Sequence, residues 1–325
     1  MNPPTGVAKK PLGLKLNLKK EERYDLERKA MEHSIPLEHS LSDIKVSAKN
    51  FEMVRKLGSG TQGHVFEYIY TPTKASVAIK SILVDSEDML KTVTTEIKSN
   101  EKVRHVNALH YYGYFVTGNT INLVMEYMDL GSLANLTSFK LQEPMLSYVA
   151  RQILNGLRPL HHIYKIIHRD LKPANILLNS KGLVKISDFG MSASINETRD
   201  QKTTFVGSKL YMSPERLGGM SYNLLSDIWS LGIIIFELGQ GKSPYEMQRN
   251  ETYLEFYERV RSNDVPTFPS TFSPELQNFL RKILKKDPAQ RLRSIVLLED
   301  TFIKKYEHLT GEDFIEYCKK QFLQK

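Results

Sequence analysis

The feature that most constrains this chain is a glycine-rich run, Gly58-Ser59-Gly60-Thr61-Gln62-Gly63, that leads into a strand rather than a helix. The residues after it, Val65-Phe66-Glu67-Tyr68-Ile69-Tyr70, are β-prone, and Thr71-Pro72 supplies a turn before a second apolar run, Val77-Ala78-Ile79. A dinucleotide-binding βαβ unit needs the same glycine spacing to open a helix, so that fold is excluded. A strand–glycine loop–strand arrangement has a different use. Glycines place no Cβ in the way, so backbone N–H groups can approach phosphates closely. Alone, the G-x-G-x-x-G spacing is equally that of an ordinary hairpin. Lys80 closes the second run seventeen residues after Gly63, and at this distance from a glycine loop it is a candidate for holding phosphates. The plainer reading of a lone lysine there is a solvated strand end. Glu96 follows sixteen residues later in a helix-favouring segment and can pair with Lys80.

Length and patterning extend this start into an architecture. At 325 residues the chain suits about two domains, or one two-lobed domain with tails. Residues 51–80 are strand-rich, and Leu123-Val124-Met125 is a further strand candidate that runs to a hinge at Asp129-Leu130-Gly131. Helical patterns dominate beyond it, as in Met145 to His162 and Leu276 to Lys285. The expected fold class is α+β, with a strand-rich lobe, a hinge and a larger helical lobe. The longest apolar run, Leu231 to Leu238, is interrupted by Glu237 and is far short of the ~18–20 residues that span a bilayer. The opening Met1-Asn2-Pro3-Pro4 lacks a signal-peptide core, and Asn2 stands where N-myristoylation requires glycine. The single cysteine, Cys318, excludes an internal disulfide and a Cys-based zinc site. The expectation from these features is a soluble intracellular protein with no membrane insertion. Of the net charge of +8, half comes from residues 1–30, where eight lysines and arginines face four acids. Such a basic arm suits nucleic acid, an anionic membrane or an acidic protein groove, and composition does not choose among them.

A further cluster decides how the glycine loop and Lys80 are read. His168-Arg169-Asp170-Leu171-Lys172-Pro173-Ala174-Asn175 is followed by Asp188-Phe189-Gly190 and by Ser213-Pro214-Glu215. In order and spacing, with the glycine loop, Lys80 and Glu96, these residues resemble the protein kinase signature set over about residues 51–305. The resemblance implies a two-lobed kinase fold, an N-lobe over about 51–127 and a C-lobe over about 132–305. It implies ATP and Mg²⁺, with an ATP site at Leu57, Gly58, Ser59, Gly60, Gly63, Val65, Ala78, Lys80, Met125, Glu126 and Met128. Lys80, held by Glu96, is assigned to the α/β-phosphates, and Asp188 and Asn175 to magnesium. Asp170 orients the substrate hydroxyl and takes its proton. Lys172 fits the serine/threonine pattern and steadies the transferred phosphoryl group. Met125 guards the back pocket, and residues 126–128 form the adenine-binding hinge. Asp227 and Arg291 match structural anchors, with Arg291 paired to Glu215.

The run Phe205-Val206-Gly207-Ser208-Lys209-Leu210-Tyr211-Met212-Ser213-Pro214-Glu215-Arg216-Leu217 is similar to that of the MAP kinase kinases, with Ser208 in place of the usual threonine. That family is dual-specific and phosphorylates Thr and Tyr of a MAP kinase activation loop. Residues 1–18 then read as a docking arm, in which Lys9 and Lys10 meet an acidic patch and Leu14, Leu16 and Leu18 fill pockets. Its rivals are accidental alternation and a nuclear-export-like leucine run, so the expected location is the cytoplasm with shuttling to the nucleus as a variant. Thr198 and Thr204 stand as the activating phosphorylation sites, at a spacing that resembles the plant-type pattern, with an upstream MAP kinase kinase kinase as activator. Asp200 falls at the other family spacing and stands as a partial phosphate mimic. Residues 19–50 carry a helix over 19–33 and a linker, and residues 306–325 a C-terminal helix with Phe314, Cys318 and Phe322 on one face. That face either packs on the large lobe or docks the upstream kinase. Nucleic acid is not an expected partner. The alternatives are a general serine/threonine kinase upstream in a cascade and a non-catalytic kinase-like scaffold.

Overall fold

A computed structural model describes residues 44–60, 63–188, 193–194, 209–220, 223–262 and 266–323. The docking arm, the helix over 19–33, Phe189, Gly190, Thr198 and Thr204 lie outside the described residues. The chain divides into two units, one reaching to Val93 and including Tyr112–Val124, the other holding Thr94–Tyr111 and everything from Met125 onward.

The first unit is built on β-branched and aromatic residues. Strands β1 (Phe51–Gly60), β2 (Gly63–Tyr70) and β3 (Ala75–Leu83) follow one another as hairpins, with Phe51 opposite Tyr70 and Val65 opposite Lys80. Helix α1 (Glu87–Lys102), of which only the part up to Val93 belongs to this unit, precedes β4 (Tyr111–Thr117) and β5 (Thr120–Glu126), and the sheet order is β1-β2-β3-β5-β4. Residues 77–80 of β3 are all buried, so this central strand shows a continuous apolar run instead of alternation. The strand continues to Leu83, which places Lys80 inside it and not at its end. Phe51, Tyr70, Val77, Ile79, Tyr112 and Val124 form the core, where Phe51 stacks on Phe115 with ring centres 5.7 Å apart.

The second unit holds the rest of α1, from Thr94, and after it the long helix α2 (Glu143–His162). The short strands β6 (Ile166–Ile167), β7 (Ile176–Leu178), β8 (Val184–Ile186) and β9 (Ala193–Ser194) carry the segment of densest polar motif, β6 pairing β9 and β7 pairing β8. Then come α3 (Pro214–Leu217), α4 (Leu224–Gln240), α5 (Tyr253–Ser262), α6 (Pro274–Ile283), α7 (Ser294–Leu297), α8 (Thr301–Lys305) and α9 (Gly311–Leu323). Helix α4 contains the longest apolar run of the sequence and is apolar nearly all round, which is the signature of a helix buried on every side. Ile228, Trp229, Leu231, Ile233, Ile234 and Leu238 are accordingly inaccessible to solvent. Asn223 and Ser226 cap its start reciprocally, and Gly241 ends it in the left-handed conformation. Among the described residues no helix is long and apolar enough to cross a membrane. On α9, Phe314 and Cys318 are buried, and Phe314 stacks on Tyr148 of α2 with centres 5.2 Å apart. Gly182 permits this docking, since a Cβ there would lie 2.2 Å from the Gly311 carbonyl oxygen.

Candidate active site

The site of the second unit is organised around a buried charge. Asp227, in the first turn of α4, is fully enclosed, and its carboxylate accepts the backbone N–H groups of His168 at 2.9 Å and Arg169 at 3.0 Å. His161, at the end of α2, lies 2.8 Å from the same carboxylate through Nε2. Burial opposes ionisation of Asp227, but the bonds with His161 and His168 outweigh it and hold the carboxyl below its ordinary range. The anchor constrains backbone as well as charge. Arg169 sits at φ 71°, a left-handed conformation that costs a non-glycine residue about 1–3 kcal/mol unless its surroundings enforce it. Arg216 of α3 donates to the Arg169 carbonyl from the other side.

His168 ties this loop to the one that carries Asp188. Its Nδ1 lies 3.3 Å from the Asp170 backbone nitrogen, which can only donate, so Nδ1 is the acceptor. Nε2 therefore carries the proton and donates it to the Ser187 carbonyl at 2.8 Å. The Ser187 N–H and hydroxyl both donate to the Asn175 carbonyl, at 2.9 and 3.0 Å. Asp188 follows directly, at φ 61°, so its position is set by bonds to both sides of the 168–175 loop.

Within that frame three residues expected from sequence converge. Lys172 Nζ donates to Asp170 Oδ2 at 2.7 Å, and Asn175 Nδ2 donates to the same oxygen at 3.1 Å and to the Asp170 carbonyl at 2.8 Å. The Asp170 and Lys172 side chains are partly open to solvent, at 19% and 24%, so the pair is fixed yet reachable. Below it, Arg291 grips Glu215 with two parallel bonds of 2.7 Å while stacking on Trp229. Burial again opposes the Glu215 charge, and Arg291 overcomes it, keeping the carboxyl below its usual range. Ser226 adds a bond to Glu215, which joins α3 to α4.

Met125 and Met128 are buried, and the backbone of Glu126 bonds to His110. The Glu126 carboxylate pairs with Lys185 of β8 at 2.6 Å. In the first unit Leu57, Gly58, Ser59 and Gly60 are exposed at the end of β1, Val65 is half-buried, and Ala78 and Lys80 are buried. A Cβ on Gly63 would lie 2.3 Å from the Ser81 carbonyl oxygen, so this position of the loop admits only glycine. Glu96 is buried on α1. The sequence reading missed His161, Ser187 and Lys185. His161 lies in an apolar stretch with nothing to mark it, Ser187 acts largely through its backbone, and Lys185 reads as the polar residue of a short strand.

Residues 51–303 match the family model described as Protein kinase domain. The chain is 39% identical to "Mitogen-activated protein kinase kinase 2" of Arabidopsis thaliana, over 82% of this chain and 76% of that protein. It is 38% identical to "Mitogen-activated protein kinase kinase 1c" of Physcomitrium patens over 82% and 80% of the two chains. With "Mitogen-activated protein kinase kinase SIPKK" of Nicotiana tabacum it shares 37% identity over 82% and 77%.

Proposed function

Because this chain belongs to the mitogen-activated protein kinase kinase family of protein kinases, we propose that it transfers the γ-phosphate of ATP to both Thr and Tyr in the activation loop of a MAP kinase. The observation that carries the transferase reading is the Asp170–Lys172–Asn175 cluster, held at 2.7–3.1 Å and anchored through His168 and Arg169 to Asp227. Asp170 orients the substrate hydroxyl and accepts its proton as the oxygen attacks the γ-phosphorus. The bond from that phosphorus to the bridging oxygen breaks, and ADP leaves. Lys172 keeps Asp170 in place and presents its ammonium to the transferred phosphoryl group.

The donor set fits magnesium. Asn175 commits its amide nitrogen to Asp170, which leaves Oδ1 for a hard cation, and Asp188 contributes carboxylate oxygen. Asn175 and Asp188 would hold the ion, which would there offset the charge of the phosphates. Lys80 holds the α/β-phosphates with Glu96 as its counter-ion. The glycine loop with Leu57, Val65 and Ala78 covers the nucleotide, and the backbone of residues 126–128 takes the adenine, with Met125 behind it. Phosphorylation of Thr198 and Thr204 by a MAP kinase kinase kinase switches the enzyme on, a phosphate adding about −1.5 to −2 charges. Lys9, Lys10, Leu14, Leu16 and Leu18 dock the substrate kinase.

The test is phosphosite mapping by mass spectrometry after incubation with MgATP and catalytically dead MAP kinases. The enzyme is used as purified and with Thr198 and Thr204 replaced by acidic residues. Paired phosphorylation of Thr and Tyr in one panel member is the expected result. Phosphate on serine or threonine alone assigns the chain to the broader upstream class, and turnover that survives Asp170→Asn overturns the catalytic assignment.

A further inference from the structure

The far end of α2 presents a combination that neither the catalytic cluster nor the helical core uses. Ile163, directly after the last residue of α2, is 71% exposed, and Ile295 and Val296 of α7 are 51% and 50% exposed. Helix α7 packs against α2, and Arg293, directly before α7, lies close enough to His162, directly before Ile163, for its charge to act there, which puts the start of α7 at this end of α2. Arg158, Lys165 and Arg293 are exposed in the same region. Their grouping is visible at His162, which is held below its ordinary range by burial and then by the charges of His161, Lys165, Arg293 and Arg158. Among the described residues none of these three cations has an ion pair. The nearby Glu299 is engaged by Lys304 at 3.2 Å.

Local helix energetics explain part of this and not the rest. Cations near the C-terminus of α2 complement the helix dipole, which accounts for Arg158 and Lys165. Arg293 stands at the N-cap of α7, the end where positive charge is unfavourable and a short polar side chain is preferred. A solvent-exposed isoleucine amid uncompensated cations likewise does nothing for folding.

We infer that Arg158, Lys165 and Arg293, with Ile163, Ile295 and Val296 among them, form a docking surface for an acidic protein segment whose carboxylates alternate with aliphatic side chains. Charge complementarity identifies the sign of the partner, and the exposed aliphatic groups identify its class. An anionic bilayer gains only about 1 kcal/mol per basic residue, or about 3 kcal/mol from three, too little to hold the protein at a membrane. Single-stranded nucleic acid stacks its bases on aromatic side chains, and this surface offers β-branched aliphatic ones. A peptide alternating Glu with Leu supplies both halves of the complement.

The experiment titrates the full-length protein against a fluorescein-labelled peptide of alternating glutamate and leucine, read by fluorescence anisotropy, with hydrogen exchange to locate it. Binding protects residues 158–165 and 293–297. The double variant Arg158→Glu/Arg293→Glu binds about tenfold more weakly because two attractions become repulsions. Ile163→Ser also loses about tenfold, through apolar area that the complex buries. Lys319→Glu, an exposed reversal on α9, leaves the affinity unchanged. Every variant keeps the wild-type turnover, because none of these residues touches the catalytic cluster; in the double variant the favourable dipole interaction lost at Arg158 and the unfavourable one relieved at Arg293 oppose each other in the melting temperature. The proposal is overturned if the Glu–Leu peptide fails to bind, if a Gln–Leu peptide binds as tightly, or if charge reversal leaves its affinity unchanged. It is equally overturned if phosphatidylserine vesicles or a single-stranded oligonucleotide engage the same residues more tightly than the peptide does.

Discussion

Replacing Asp227 by asparagine tests whether a single buried carboxylate holds the catalytic loop. The shape is kept, but one oxygen becomes an amino group that cannot accept. If the remaining oxygen keeps the bonds to His161 and the His168 N–H, at 2.8 and 2.9 Å, the amino group faces the Arg169 N–H, donor against donor. A buried donor left without a partner costs about 1–3 kcal/mol. The two surviving bonds lose their charge assistance, which roughly halves them, so the total loss is about 2–5 kcal/mol. At about 2–4 °C per kcal/mol for a unit of this size, the melting temperature falls by about 4–20 °C. Function suffers separately. Without its anchor the left-handed Arg169 backbone relaxes and carries Asp170 with it, and a displacement near 1 Å costs about 10²-fold in turnover. The assay pairs differential scanning fluorimetry with initial rates of phosphate transfer at saturating MgATP, both below the variant's melting temperature. The difference in stability between the two proteins is fully present above the unfolded carboxylate range. It fades as pH falls through the depressed folded value of Asp227, because protonation then removes the charge from the wild type as well. A variant that melts early yet turns over like wild type refutes the positioning argument.

Other expectations follow from single contacts. Arg291→Met leaves the buried Glu215 carboxylate without its two 2.7 Å bonds and costs about 3–5 kcal/mol in urea unfolding, whereas Glu215→Gln, which keeps an acceptor, costs less. Lys172→Met lowers kcat by about 10²–10³-fold while the KM for ATP stays near the wild-type value, since the contact is to Asp170; a rise in KM alone contradicts the assignment. His110 is depressed from 6.5 to about 4, first by burial and then by Arg104 and Lys185, so the unfolded chain binds its proton more readily between those values. Stability is lost as pH falls through that window, and His110→Gln shows a shallower loss there in pH-dependent unfolding.

Much of the chemistry was legible in the sequence because it is local. Asp170, Lys172 and Asn175 lie within one short turn of chain, so any backbone that forms the loop brings them together, and their spacing carries the inference to the family. The glycine loop and the apolar run of β3 are equally short-range, although Lys80 proved to lie inside the strand where the sequence suggested an end. The apolar face of α9 was visible as a period, with packing and docking both open; Phe314 stacking on Tyr148 shows its packing within the second unit. What could not be read was what holds the cluster in place. His161 meets Asp227 across sixty-six positions of sequence, Lys185 meets Glu126 across fifty-nine, and His168 reaches a Ser187 carbonyl that every residue type also possesses. Residue identity and spacing thus determined which chemical groups the chain carries and which of them are neighbours along the backbone. Only tertiary packing, of α2 against α4 for His161 and Asp227 and of β8 beside the end of β5 for Lys185 and Glu126, decided which distant groups face one another, where an unpartnered buried charge is too costly to persist and a partnered one fixes the loop.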